Sequence, residues 1–288
     1  MLRFFVPLAV CVGCLALAPM PMGIASDDEA PQALQQAAAA FRSGDHQQAE
    51  DLATKAIAAD PKNAQAYYLR SAVYAAKQEH ALAVADLTKV IELDPTTAEV
   101  FNRRGAEQFK LGRIEESIAD FDRAIELRPE QEAGHWQRGI SYYYAGQYEN
   151  GRKQFEGYQG VDDNDVENAV WRFLCMARES DLGAARKAIL KIKDDRRVPM
   201  MQIYALFSGQ ASPDDVLTAV RAGSPDEEEL NQRLFYAHLY LGLYHEAAGE
   251  LDLAREHTTK AADSHKIEHY MWDVARVHAD LMKKAEKE

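Results

Sequence analysis

The sequence predicts an all-α chain, a solenoid of antiparallel helix pairs with a C-terminal capping helix, and three observations carry that expectation. Gly44, Gln78, Gly112 and Gly146 fall 34 residues apart. Their flanks repeat with them: Ala49, Ala83 and Ser117, then Ala56, Val90 and Ala124, then Pro61, Pro95 and Pro129. With units starting at Ala30, Ala64, Ala98 and Glu132, the eighth position is small each time, as Ala37, Ser71, Gly105 and Gly139.

Each landmark has a physical reason. Two antiparallel helices approach closely only where the facing side chains are small, and the larger Tyr67, Phe101, Leu87, Phe121 and Phe155 fill the space between units. The prolines end each second helix and begin the next turn. Arg70, Arg104 and Arg138 share the seventh position, while Asp86 and Asp120 share a place on the second helices. An unpaired arginine between helices is costly, so a repeated charge pair between units is expected, with Arg104 beside Asp86 or Asp120. The alternative is a ladder of arginines for anionic ligands.

A period of about 34 with this pattern is the signature of the tetratricopeptide repeat, and the chain resembles that family. The resemblance implies a right-handed superhelix. Four units are expected over 30–163. The pattern then fades into two degenerate helix pairs over 164–226, Glu167 to Arg178 with Leu182 to Lys191 and Pro199 to Ser208 with Pro213 to Ala222. Ser212-Pro213-Asp214-Asp215 and Ser224-Pro225-Asp226-Glu227 read as helix starts. Leu241-Gly242, Gly249, Ala254 and Ala261 restore the repeat over 227–263, and 264–288 reads as a solubilising cap with a charged tail. Three regular units, an irregular Trp-containing middle and a final good repeat also resemble the NlpI-type bacterial lipoproteins of this class. That resemblance implies an envelope adaptor, often dimeric, which holds peptidoglycan hydrolases or a periplasmic protease.

The N-terminus reads as an address. Arg3 precedes an apolar run from Phe4 to Ala18, and Gly23 and Ala25 suit a cleavage before Ser26, so residues 1–25 are expected to be a secretory signal and 26–29 an acidic linker. A second reading makes Cys14 of Cys11-Val12-Gly13-Cys14 a lipid attachment site, although Cys11 stands where Leu is usual. The expected location is thus periplasmic or secreted, or membrane-anchored through Cys14. Cleavage leaves Cys175 as the lone thiol, set among apolar neighbours and expected to be a small buried hydrophobe.

Composition narrows function. A formal charge of -13 argues against nucleic-acid binding, and 47% hydrophobic residues argue against disorder. In this repeat class the first helix of each pair lines the concave surface, which places Tyr68, Asn102, Phe109, Lys110, Trp136, Ile140, Tyr143 and Tyr144 in a partner-binding groove. Aromatics with a polar handle suit a peptide or protein ligand. The alternative for Tyr68, Trp136 and Tyr143 is packing between units. The clamp that holds acidic chaperone termini is missing, since Leu34, Ala38, Tyr68 and Ala72 occupy its first positions.

Other chemistry is weaker. His265-Lys266-Ile267-Glu268-His269 spells H-x-x-E-H, which on a helix turns two histidines toward one zinc ion and would make a hydrolase, but only 19 residues follow it to supply a third ligand. Asp162, Asp163 and Asp165 lack the Gly and Glu of a calcium loop and read as a solvated turn. No nucleophile elbow or phosphate loop is present. The expectation is a non-enzymatic exported scaffold with no cofactor, a protein or peptide partner and, in a further reading, self-assembly as a homodimer.

Overall fold

The computed structural model describes residues 29–286, so the expected signal segment and Cys14 lie outside the described residues. Helix pairs run through it in order: α1 (Glu29–Arg42) with α2 (His46–Ala59), α3 (Ala64–Ala76) with α4 (His80–Leu93), α5 (Ala98–Lys110) with α6 (Ile114–Leu127), and α7 (Trp136–Tyr144) with α8 (Tyr148–Tyr158). Three further pairs are α9 (Val166–Glu179) with α10 (Leu182–Lys187), α11 (Met200–Phe207) with α12 (Pro213–Ala219), and α13 (Glu227–Ala247) with α14 (Leu251–Thr259). A π-turn at Lys260–Ser264 leads to α15 (Tyr270–Ala285). Among the described residues there is no strand, and no helix is long and apolar enough to cross a membrane.

The repeated small residues act as the steric reading requires. A Cβ added to Gly105 would stand 2.9 Å from the Phe121 ring, and one on Gly139 would stand 2.7 Å from that of Phe155. Gly242 is held equally tightly against Thr258, which ties α13 to α14 in the same way. The turn glycines serve another purpose. Gly44, Gly112 and Gly146 have φ of 82°, 71° and 72°, the left-handed conformation that ends one helix and starts its partner. Gln78 occupies the same place at φ 61° and bears the steric cost that glycine avoids.

The arginine series is a structural ladder. Arg70 makes a two-pronged contact with Asp86 at 2.8 Å and reaches back to Thr54 Oγ1 at 3.1 Å. Arg104 repeats it with Asp120 at 2.8 and 2.6 Å and with Thr88 at 3.1 Å. Each carboxylate belongs to the arginine's own helix pair, and the threonine to the preceding one, so one guanidinium staples both levels. In the fourth unit Arg138 finds Gln154 at 2.9 Å and Asp122 at 3.0 Å. Arg172, another 34 residues on, continues the series with Glu156 at 2.9 Å and the Ala188 carbonyl at 2.7 Å. The fifth pair therefore stays in phase although its sequence has drifted.

The degenerate middle departs from expectation in detail. Helix α10 stops at Lys187, and residues 188–199 run on without helix before α11. Ser212 forms the expected cap, with Asp215 bonding back to it. At the next start the cap is Asp226, whose side chain accepts from Glu229 N, while Ser224 turns at φ 57°. Cys175 is fully buried, and burial drives its thiol pKa far up. The core is uneven: small alanine clusters join the first units, whereas Phe155, Trp171, Phe173, Leu174, Phe235 and Tyr240 build one large core at the C-terminal end.

Between α13 and α14 four histidines stand in file. His265 stacks on His238 with ring centroids 5.4 Å apart, His238 Nδ1 lies 2.8 Å from His257 Nδ1, and His257 stacks on His245 at 5.4 Å. In the His238–His257 contact one ring donates and the other accepts, so the two must be opposite neutral tautomers.

Two measurements follow from these features. Gln78→Gly removes the left-handed strain and is expected to stabilise the chain by about 0.5–1 kcal/mol, raising Tm by roughly 1–3 °C; a lower Tm would refute the strain. Burial first, then repulsion from His257 and His265, holds His238 down at about 4. An unfolded histidine titrates near 6.5, so between those values the unfolded chain binds a proton that the folded chain refuses. Stability should fall as pH drops through that window and this contribution should level off below it. A His257→Asn chain should show a shallower Tm-against-pH slope between pH 6.5 and 4; an unchanged slope would count against the file as its source.

Candidate ligand groove

The first helices of the pairs, α1, α3, α5 and α7, carry the positions that the repeat pattern assigns to the concave side. There the chain meets itself. Helix α15 carries Met271, Val274, Ala275 and His278 at helical spacing on one buried stripe; it packs against α14 and the π-turn, and it also meets α5 and, through side chains, α7. The Tyr270 ring sits 5.5 Å from Phe109 and 5.4 Å from Trp136, and His278 sits 5.8 Å from Tyr144. Arg276 donates to the Lys110 carbonyl at 2.7 Å, satisfying a backbone group that the end of α5 leaves free.

A polar knot fixes the register. Glu107, buried in the groove wall, accepts from His80 Nδ1 and from Lys110 Nζ, both at 2.7 Å. Burial pushes its pKa up, but these two bonds and the Lys110 charge outweigh it and hold the carboxyl below the usual range. Asp273 of α15 meets the same group, 3.9 Å from Lys110 Nζ and 4.0 Å from His80 Nε2. Within the 264–288 segment expected to be a terminal cap, the helix thus begins only at Tyr270, and it packs on groove residues.

The predicted groove residues divide accordingly. Phe109, Lys110, Trp136, Tyr143 and Tyr144 come together beneath α15 and the turn that precedes it, with Phe109 fully buried and the Tyr143 hydroxyl reaching Glu246 at 3.4 Å. Ile140 is also fully buried and faces a cavity with Met271. Asn102 is bonded to His135 Nε2 at 2.8 Å, outside the α15 footprint. Tyr68 remains half-buried on α3 with the Arg103 guanidinium 4.9 Å above its ring. The matching positions of the first units, Leu34, Ala38 and Phe41 on α1 and Ala72, Ala75 and Ala76 on α3, are likewise not fully buried and together make up one strip of the predicted groove. Ala75 and Ala76, with His80, form one wall of a cleft of about 510 Å³ whose other wall is Lys266 to Tyr270, Trp272 and Asp273.

A second, smaller cavity of about 170 Å³ lies beside the start of α15, lined by Trp136, Ile140 and Phe155 and by the N-terminus of α9. Its rim is the ion cluster that the acidic 162–165 stretch conceals in sequence: Arg197 bonds Asp165 at 2.7 Å, Glu167 at 2.6 Å and Asp195 at 2.6 Å. Burial, partly offset by Arg197, holds Asp165 and Glu167 above the usual carboxylate range. Asp165 is therefore a cap and a rim residue rather than part of a solvated turn. The signal available beforehand was its place as the cap before an apolar helix.

His265 and His269 do not converge. Residues 265–269 are not helical, so the i and i+4 positions lose their common face. His265 is bonded to Asn231 at 3.0 Å and stacked on His238, whereas His269 caps α15 and faces the cavity.

Family models for the tetratricopeptide repeat match residues 34–98 and 98–131. The chain carries tetratricopeptide repeats. No curated protein matches the sequence. Among solved structures, the crystal structure of the MamA protein is 19% identical with a TM-score of 0.53 over 56% of this chain and 88% of that one. The structure of YrrB, described as a TPR protein with an unusual peptide-binding site, is 19% identical with a TM-score of 0.51 over 56% of this chain and 86% of its own. Pseudomonas aeruginosa pilF is 16% identical with a TM-score of 0.47 over 88% of this chain and 98% of its own. The likenesses to MamA and YrrB concern the fold alone.

The docking of α15 on the TPR units is directly measurable. Arg276→Ala removes the bond to the Lys110 carbonyl and should weaken docking by about 1–1.5 kcal/mol, so amide exchange within 270–285 speeds roughly tenfold while α3 and α4 keep their rates. Equal acceleration throughout the chain would show that α15 does not open as a separate unit.

Proposed function

We propose that this chain is an exported TPR scaffold of the cell envelope that holds a peptide or protein partner in the part of the groove that α15 leaves open. The observation that carries the reading is the strip on α1 and α3. Ala38, Ala72, Ala75 and Ala76 make a low floor that lets another backbone approach, and Phe41 and Tyr68 stand at its edges as broad contacts with few rotamers to lose. A self-filled groove elsewhere limits the partner to the first two or three units. The apolar run from Phe4 to Ala18 supports export, with the lipidated Cys14 form as the anchored variant. The NlpI-type order of units supports a peptidoglycan hydrolase or periplasmic protease as the class of partner. YrrB's described peptide-binding site is a use of the same fold in keeping with this one.

The test is a photo-cross-linking amino acid placed at Tyr68 or at exposed Ala85 on the opposite helix, α4, in the native host. A discrete protein adduct from position 68 and none from 85, recovered with the envelope fraction, is the expected result. Equal labelling at both positions would remove the groove from the proposal, and recovery in the cytoplasmic fraction would remove the export.

A further inference from the structure

Between α10 and α11 the chain forms a span that is held by its ends and by one side chain. The Ala188 carbonyl accepts from Arg172 Nη1 at 2.7 Å. Asp195, buried, accepts from Val166 N at 3.2 Å and from Arg197. Between those anchors only Ile192 is buried, while Lys191, Lys193 and Asp194 are exposed and Ile189 and Leu190 are half-buried. Residues 189–196 contain neither a turn nor a bend, so the span runs on without a sharp change of direction. Its main chain is unused. Among the described residues, no N–H of 190–194 donates a hydrogen bond and no carbonyl of 189–194 accepts one. In so exposed a span those groups are left to solvent. With Lys191 and Lys193 outward and Ile192 inward, the side chains alternate as on a strand, which directs the N–H and C=O groups sideways. Such a row is a template on which another extended chain pairs.

Charge selects the occupant. The chain carries a formal charge of -13, yet the stretch from Arg186 to Arg197 holds six basic residues against two acidic ones. Arg197 is engaged with Asp195 and the α9 acids, and Arg196 lies 3.8 Å from Asp194. Lys187, Lys191 and Lys193 stay exposed with no ion-pair partner among the described residues. A second copy of the span fits badly. In an antiparallel self-pair that overlaps the lysines and keeps one face outward, Lys191 stands opposite Lys193 or a lysine stands opposite itself, and like charges directly opposite destabilise. An anionic membrane answers the charge but not the row of main-chain groups, and the apolar side chains of the span are buried or half-buried instead of free to enter acyl chains. An acidic strand answers both, with main-chain N–H and C=O along the edge and carboxylates opposite Lys191 and Lys193. We propose that the 189–194 span is a docking edge for an extended acidic peptide of a partner protein, which joins it by strand addition. It shares no residue with the α1 and α3 strip and does not rest on that reading.

The experiment titrates the full, isotope-labelled chain at low salt with a short acetylated peptide that alternates glutamate and valine, and reads amide exchange with water by NMR. Two comparison peptides carry lysine in place of glutamate, or glutamate with every amide N-methylated so that both edges lose their donors. Saturable binding of the glutamate peptide is expected, with exchange slowed at every second residue, either at Lys191 and Lys193 or at Leu190, Ile192 and Asp194 according to the edge used. The N-methylated peptide should bind roughly tenfold more weakly. Lys191→Glu combined with Lys193→Glu should weaken the glutamate peptide roughly tenfold and admit the lysine peptide, with unchanged exchange in α9 showing that the variant is folded. The N-methylated comparison needs no variant, so it stands even if that one fails to fold. No saturable binding, equal affinity of the N-methylated peptide, protection that does not alternate, or protection on α1 and α3 instead would overturn the edge. Phosphatidylglycerol vesicles that slow exchange in 189–194 where the glutamate peptide does not would overturn it too, and would assign the surface to a membrane.

Discussion

The contact on which the architecture rests is a phenyl ring laid on a backbone that has no side chain to keep it away. Phe121 on Gly105 and Phe155 on Gly139 set how closely two helices of a pair approach, and that distance, repeated, sets how the next pair must lean. The arginine ladder is fitted to it. A guanidinium can touch its own pair's carboxylate and the previous pair's hydroxyl only if the stacking offset is the same at each level. Curvature accumulates from that offset, and the groove is its result.

The groove is then used twice over. Its middle units meet α15 through Phe109, Trp136 and Tyr144, while the first two units keep a strip of half-buried alanines and aromatics. The distribution of core follows the same division. The alanine-rich units at the start have little apolar mass to offer one another, whereas the units after Phe155 are knit to α13 and α15 in a single cluster. A stiff end carries the self-contact and a lighter end carries the exposed surface.

The repeat was readable because its demands are local and recur. A small residue, a positive-φ turn and a helix-ending proline return at each level, and each has one physical cause. The fifth pair was readable as helices but not as a unit in phase, because only Arg172 keeps the spacing and one residue makes no pattern. The place of α15 was not readable. Its apolar stripe would satisfy any apolar surface, and its anchor to Lys110 spans 166 residues of chain.

That long anchor bears on how the chain is made. The helix that covers α5 and α7 is synthesised after every unit it covers, so Phe109, Trp136 and Ile140 face solvent until residues beyond 269 have emerged. A premature stop or a proteolytic nick between α14 and α15 would leave all seven helix pairs intact in sequence and still produce an adhesive molecule. For this protein the loss of one late helix is more hazardous than the loss of an early repeat, because it uncovers a broad apolar face instead of shortening a stack.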